Sequence, residues 1–173
     1  MKKLLVLLPM MLLLAGCGSQ ETFETVADVQ EVVSPPAAQQ IMVDLPDSAR
    51  SPVLQSEDMG DIYFCDDYFV TIQTMQNGDL DGTIRSCTGF GKDQLRLIET
   101  QNHGVTRYEC VWSAAGESGE QVGRLCILDD GNYFYVMTTM ADADMAGELQ
   151  ATWQQLFDSM HLLSAEVNLD TAS

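Results

Sequence analysis

Five cysteines carry the most distinctive chemistry in this 173-residue chain. Cys65, Cys87, Cys110 and Cys126 form no CxxC pair, which argues against a thioredoxin-like redox site and against a zinc ribbon. Cys110 and Cys126 flank the polar loop 115–120 between two strongly patterned strands. Folding that hairpin about its middle places the two cysteines opposite each other, and this predicts a disulfide between them. The alternative is that all four are free, buried thiols.

Oxygen-bearing side chains recur at alternate positions at Asn77, Asp79 and Asp81. Together with the glycine and the aliphatic residue that follow, they match the first two-thirds of a calcium loop of the EF-hand type. The last position of such a loop normally supplies two oxygens from a glutamate, but here it is Thr88. Calcium is therefore the one candidate cofactor, and a turn leading into a capped helix explains the same residues without a metal.

The other residue types used in catalysis are dispersed. Neither His103 nor His161 has a base, a nucleophile or a second metal ligand at a useful spacing. Ser118 lacks the context of a nucleophile elbow, and residues 89–92 lack both spacings of a phosphate-binding loop. The aspartate pairs fall at predicted turns and caps, where aspartate is structurally favoured. These pairs are Asp66/Asp67, Asp129/Asp130 and Asp142/Asp144. We therefore predict no catalytic residues.

The first 17 residues have the layout of an export signal. Lys2 and Lys3 precede an apolar run over 4–14, which is shorter than the roughly 20 residues that a membrane-spanning helix needs. The sequence Leu-Ala-Gly-Cys at 14–17 resembles the lipobox of bacterial lipoproteins. The resemblance implies a signal peptide over 1–16, cleavage after residue 16, and diacylglycerol and palmitate-type chains on Cys17. We predict a lipid-anchored protein on the exported face of the cell membrane.

The charge balance limits the partners. The chain has 8 basic and 26 acidic residues and a formal charge of −18, which becomes −20 when Lys2 and Lys3 leave with the signal peptide. Nucleic-acid binding requires a basic surface, so that class of partner is excluded. Anionic lipid would also repel the chain, so lipid on Cys17 has to provide the membrane attachment.

The remaining sequence is organised as a tether, a domain and a tail. Residues 17–38 are acidic and end near two prolines, which predicts a disordered tether, and residues 164–173 form a polar tail. The domain over 39–163 shows strand-like alternation with two helical stretches. Strands are predicted at 41–45, 52–54, 61–65, 68–75, 95–100, 106–114, 121–128 and 132–140. Helices are predicted at 79–88 and from Asp142 or Asp144 to about Met160. The second has an apolar stripe formed by Met145, Leu149, Trp153, Leu156, Phe157 and Met160. The Asp130-Gly131 step predicts a tight turn before the last strand.

This order predicts an α+β fold, an antiparallel sheet with helices packed on it. The proline-ended strand IMVDLP at 41–46, the hairpins, the aromatic strand YFYVMTTM at 133–140 and the closing FDSM at 157–160 resemble the PsbP/Mog1-like superfamily. The resemblance covers about 39–163, has no diagnostic motif, and implies an accessory or binding role with no particular chemistry.

The function predicted from these observations is a non-enzymatic accessory or binding role at the cell envelope. The partners left open are an envelope protein and a small ligand, and an exposed aromatic face of the sheet is one surface that could bind them. Two alternatives remain: an envelope hydrolase that uses dispersed carboxylates, and a calcium-responsive module.

Overall fold

The structure is a computed structural model that describes residues 36–50, 54–56, 60–116 and 119–163, with only the backbone described at 54–56. Nine strands and two helices occur in these ranges. The strands are β1 (Gln40–Met42), β2 (Leu54–Ser56), β3 (Gly60–Phe64), β4 (Tyr68–Gln76), β5 (Ile98–Asn102), β6 (Val105–Ala115), β7 (Glu120–Asp129), β8 (Tyr133–Asp142) and β9 (His161–Leu163). The helices are α1 (Leu80–Thr88) and α2 (Ala146–Ser159).

Seven strands form one antiparallel sheet in the order β2-β3-β4-β8-β7-β6-β5. The longest strands, β4, β6, β7 and β8, lie in the middle, and β5 forms one edge. Strands β1 and β9 pair with each other in a separate two-stranded sheet. Tight turns connect neighbouring strands, and His103 and Gly104 adopt positive φ angles of 48° and 81° between β5 and β6.

Helices cover both faces of the sheet. Helix α2 packs on one face, where the buried side chains of α2 meet those of β4, β7 and β8. Helix α1 packs on the other face, where Ile84 contacts residues of β6, β7 and β8. Because both of its faces are covered, β7 has four consecutive buried residues over 125–128.

The α+β fold class is confirmed, and so are the two helices. Helix α1 begins after Asp79 and ends at Thr88, and Gly89 follows with a φ of 80°, as expected of a helix-terminating glycine. Helix α2 follows a 3₁₀ turn that begins after Asp142, and it buries the predicted apolar stripe. Five of the six residues of the stripe are buried, namely Leu149, Trp153, Leu156, Phe157 and Met160, and Met145 is half-buried.

Three predictions about strands need correction. The strand predicted at 52–54 is found at Leu54–Ser56. The first strand does not join the main sheet, because Gln40–Met42 pairs with β9, which lies just past the predicted end of the closing helix. The strand predicted at 95–100 is found at Ile98–Asn102, because a 3₁₀ turn occupies 92–94. The predicted signal peptide, the tether up to residue 35 and the tail over 164–173 lie outside the described residues.

The predicted disulfide between Cys110 and Cys126 is wrong. The register pairs Cys110 with Leu125 and Cys126 with Glu109, one residue away from the predicted pairing. Since successive side chains of a strand point to opposite faces, this slip places Cys110 on the α1 face and Cys126 on the α2 face. All four cysteines of the domain are free.

This register predicts the reactivity of the two cysteines. Burial raises the pKa of Cys126 to about 12 and that of Cys110 to about 11, so both thiols are protonated at ordinary pH. We expect iodoacetamide at about pH 8 to alkylate neither cysteine in the folded protein and both in urea without prior reduction. Mass spectrometry of tryptic peptides measures this; a Cys110–Cys126 cross-linked peptide in non-reduced protein would contradict the register.

Candidate functional site

Three charged side chains lie in the layer between the sheet and α2. Arg107 and Glu109 come from β6, where they pair with Leu128 and Cys126, and Arg124 comes from β7. Their strand positions place them on the same face as the apolar residues that contact α2. All three side chains are largely buried: that of Arg107 is 21% exposed, that of Arg124 16% and that of Glu109 22%. We call these three residues the charged triad.

Glu109 is the centre of the triad. Its Oε1 accepts a hydrogen bond from Nε of Arg107, and its Oε2 accepts one from Arg124 at 2.7 Å. Burial opposes ionisation of this carboxyl group, but the hydrogen bonds from Arg124 and Arg107 outweigh burial and lower the pKa of Glu109 below its ordinary value. Glu109 is therefore a carboxylate at neutral pH, already bonded at both oxygens.

The two arginines connect the sheet to α2. Arg107 donates to the carbonyl oxygen of Phe157 at 2.6 Å, in the last turn of α2, and to that of Met160 at 3.4 Å, the residue that follows the helix. The carbonyl of Phe157 also accepts the backbone N–H of Met160 at 3.3 Å, and the carbonyls of the last turn carry the negative end of the helix dipole, so a cation is favourable there. The guanidinium of Arg124 lies 4.3 Å from the ring centroid of Phe157, and its NH1 donates to Gln154 at 3.2 Å.

A cleft of about 600 Å³ opens beside Arg124, between α2 and the outer part of β6. Its floor includes Glu109, Val111 and Arg124, and Trp153 forms part of its helical wall. Its other lining residues are Arg96, Ile98, Cys110, Val122, Ala146, Gln150 and Gln154. Ile98 and Val111 are both 60% exposed, which is unusual for large apolar side chains. We call this space the Arg124 cleft.

A second cleft of about 500 Å³ lies next to Arg107. It contains both histidines of the chain, His103 from the β5–β6 turn and His161 from β9. The Nδ1 atom of His161 lies 2.7 Å from the carbonyl oxygen of Ser159. No spacing in the sequence brings these histidines together. They share one cleft because β9 pairs with β1 at the start of the domain.

The calcium candidates do not form a common site. Asn77 donates to Asp129 at 2.6 Å, and Asp79 precedes the first residue of α1. Asp81 accepts hydrogen bonds from the backbone N–H of Lys92 at 2.6 Å and from Arg85 at 3.0 Å. Residues 80–88 form a helix where a calcium loop would be extended. Among the described residues, no group of three His, Cys, Asp or Glu side chains is arranged to hold a metal ion.

The aspartate pairs lie at turns and caps, where the sequence predicted them. Asp130 is the most heavily bonded, since it accepts from the backbone N–H groups of Asn132 and Tyr133 and from the side chains of Tyr135 and Gln39. Burial alone would raise the pKa of Asp130, but these hydrogen bonds lower it. Ser118 lies outside the described residues, and Gly89, the first residue of the segment 89–92, follows the last residue of α1.

Most aromatic side chains of the sheet pack in the core. Tyr68, Trp112, Phe134 and Tyr135 are buried, and Phe64 alone of the aromatic residues is strongly exposed within the described ranges. The described residues therefore do not form the exposed aromatic face that the sequence suggested as a binding surface. In the described part of the chain, neither helix is long and apolar enough to cross a membrane.

Comparison with known proteins supports the fold alone. No family model and no curated protein sequence matches the chain. The solved structure of LpqN, described as involved in cell envelope biogenesis of Mycobacterium tuberculosis, matches with a TM-score of 0.52 at 11% identity, over 76% of this chain and 88% of LpqN. The cyanobacterial PsbP protein CyanoP from Synechocystis matches with a TM-score of 0.51 at 10% identity, over 73% of this chain and 94% of CyanoP. The fold is PsbP-like.

Sequence reasoning missed the charged triad and the cleft beside it. A usable signal was present, because Arg107, Glu109 and Arg124 are charged residues inside strongly predicted strands, where charges are uncommon unless they are paired. The partner of each charge, however, depends on the strand register and on the position of α2. Neither could be obtained from the sequence pattern.

The triad predicts a pH-dependent stability. Because the pKa of Glu109 is lower in the folded than in the unfolded chain, its contribution is present above the ordinary carboxyl pKa and is lost as the pH falls through the lower, folded value. We expect Glu109→Gln to cost about 2 kcal/mol at neutral pH, because it leaves two half-buried arginines without their anion.

Chemical denaturation at several pH values measures this cost. The difference between wild type and Glu109→Gln should shrink below about pH 4. Glu99→Gln on the neighbouring strand is the matched control, because Glu99 is exposed and makes no ion pair within the described residues. A cost for Glu109→Gln that is no larger than the cost for Glu99→Gln would contradict the role of the triad.

Proposed function

We propose that this protein is a lipid-anchored cell-envelope protein with a non-enzymatic binding role, and that the Arg124 cleft is its binding surface. The observation that carries the proposal is the cleft itself. It is open to solvent, its walls are largely apolar, and its two exposed aliphatic side chains, Ile98 and Val111, have no covering element in the described structure. Large exposed apolar side chains beside a concave surface are typical of binding sites.

The sequence supports the anchored location. Lys2 and Lys3, the short apolar run and the small residues before Cys17 occur in the order that an export signal and a lipid-modified cysteine require. Two or more acyl chains hold a protein stably on a membrane, whereas one binds reversibly. The fold supports the envelope setting more weakly, since LpqN, which shares the fold, is described as involved in cell envelope biogenesis.

The chemistry of the cleft supports binding over catalysis. Glu109 is the one carboxylate that lines it, and a carboxylate with a lowered pKa that is already bonded to two arginines is a poor general base or acid. Cys110 also contributes to the lining, but its side chain points to the α1 face of the sheet, so its thiol does not face the cleft. A small ligand or an envelope protein is the partner we propose, and the formal charge of −18 argues against nucleic acid.

The anchor predicts the fate of Cys17→Ser. A serine cannot form the thioether, so the variant should accumulate as uncleaved or mis-sorted precursor and should incorporate no labelled fatty acid. Metabolic labelling with an alkyne fatty acid, followed by detergent phase separation, measures both effects. Cys65→Ser is the matched control, because Cys65 lies inside the domain and should leave labelling unchanged. Mature, acylated protein from the Cys17→Ser variant would refute the anchor.

The binding role predicts which surface captures partners. The double variant Ile98→Ser and Val111→Ser removes the exposed apolar side chains of the cleft, and we expect it to lose the proteins or metabolites that wild type co-purifies from native membranes. Phe64→Ser is the control, because it removes an exposed apolar side chain on β3, outside the lining of the cleft. Quantitative mass spectrometry compares the three eluates. Equal losses from both variants, or none from either, would contradict this surface.

A further inference from the structure

Arg124 does not use all of its hydrogen-bond donors within the domain. Arg124 uses one N–H toward Glu109 and one toward Gln154, which leaves three of the five guanidinium donors without a partner in the described structure. The one carboxylate of the lining, Glu109, already accepts from two arginines.

Arg96 is the second cation that lines the cleft. Arg96 precedes β5 by two residues, is exposed, and has no carboxylate within ion-pair distance among the described residues. With Arg124 and the neutralised Glu109 it gives the lining a net positive charge. The rest of the protein has the opposite sign, with a formal charge of −18. A local excess of positive charge in such a chain favours an anion at this place over the rest of the surface.

Apolar walls surround these cations. Val111 lies directly opposite Arg124 across the β6–β7 pair, and Ile98 lies next to it on β5, opposite Glu109. Val122 and Ala146 extend the apolar lining toward α2. A ligand that fills the cleft therefore meets guanidinium groups at one place and aliphatic carbon over most of its remaining surface.

We propose that the Arg124 cleft binds an anionic amphiphile, a molecule with a carboxylate or phosphate at one end and an alkyl body. The oxyanion accepts hydrogen bonds from Arg124 and Arg96, and the body packs on Ile98, Val111 and Ala146. Guanidinium groups suit both oxyanions because their planar donors match two oxygens at once. This inference rests on the proposed binding role and adds the charge and the chemical class of the ligand.

Calorimetric titration with simple probes of equal chain length tests the inference. The protein is residues 17–173 produced without the signal peptide and with Cys17→Ser, so that no attached acyl group competes, and every probe stays below its micelle concentration. We expect octanoate or octyl phosphate to bind at least about tenfold more tightly than octyl glucoside or octyltrimethylammonium, because only an anion recruits the guanidinium donors. The two anionic probes distinguish a carboxylate from a phosphate ligand.

Two matched pairs of variants locate the site. Arg96→Gln should weaken binding of the anionic probes about tenfold, whereas Lys92→Gln, the same loss of charge at an exposed residue outside the cleft, should not. Val111→Asp places a carboxylate opposite Arg124 and should compete with the ligand, whereas the uncharged Val111→Asn should retain most of the affinity. Thermal melting confirms that each variant is folded, as expected of substitutions at exposed positions.

The outcomes separate this inference from the proposed function. In one outcome, octyl glucoside binds as tightly as the anionic probes, and Val111→Asp and Val111→Asn weaken all of this binding equally. This outcome would refute the anion preference but not the binding role of the cleft. Anion binding that is unaffected by both Arg96→Gln and Val111→Asp would refute the site. Binding of none of the probes at millimolar concentration would refute the amphiphile class, while the capture experiment decides the binding role independently.

Discussion

The ion pairs of Glu109 with Arg107 and Arg124 are the interaction on which the arrangement of this domain depends. Two guanidinium groups in one half-buried layer repel each other and lose hydration unless an anion lies between them. Glu109 occupies that position and bonds to both. Replacement of all three by apolar residues of similar volume could be neutral for stability, but removal of the carboxylate alone leaves two charges uncompensated. The triad therefore acts as one unit.

The position of α2 follows from this unit together with the apolar core. Trp153, Leu156 and Phe157 bury the helix against the sheet, but apolar contacts alone have little directional preference. The hydrogen bonds from Arg107 to the last carbonyls of α2 and the contact of Arg124 with Phe157 define where its C-terminal end lies. With the helix held there, the outer part of β6 and the edge strand β5 are left partly uncovered. The clefts beside Arg124 and Arg107 are the result.

Charge makes this uncovered region different from the rest of the molecule. The domain is strongly acidic, yet Arg96, Arg107 and Arg124 line the two clefts, and Glu109 is the one acidic residue in either lining. A general negative charge keeps an exported protein dispersed and repels other anions at long range. Local positive charge in a concave, largely apolar site can still select an anionic group that arrives at short range. The same residues that position α2 thus determine which ligand chemistry the cleft favours.

The sequence by itself determined the elements of this protein. Apolar, aromatic and β-branched residues in strand-like runs predicted β4, β6, β7 and β8. The apolar stripe up to Met160 predicted α2, and the Asp–Gly step predicted the turn before β8, because these signals are local. The lipid anchor at Cys17 also rests on local sequence and stays a prediction.

The tertiary structure alone decided the register that separates Cys110 from Cys126, because a shift by one residue reverses every side chain and leaves the alternation pattern unchanged. It also decided that β1 pairs with β9, that Asp81 bonds to Arg85 and Lys92, and that Arg124 meets Glu109. Each of these contacts joins residues that become neighbours only when separate elements pack, and no local pattern records which side chains will meet.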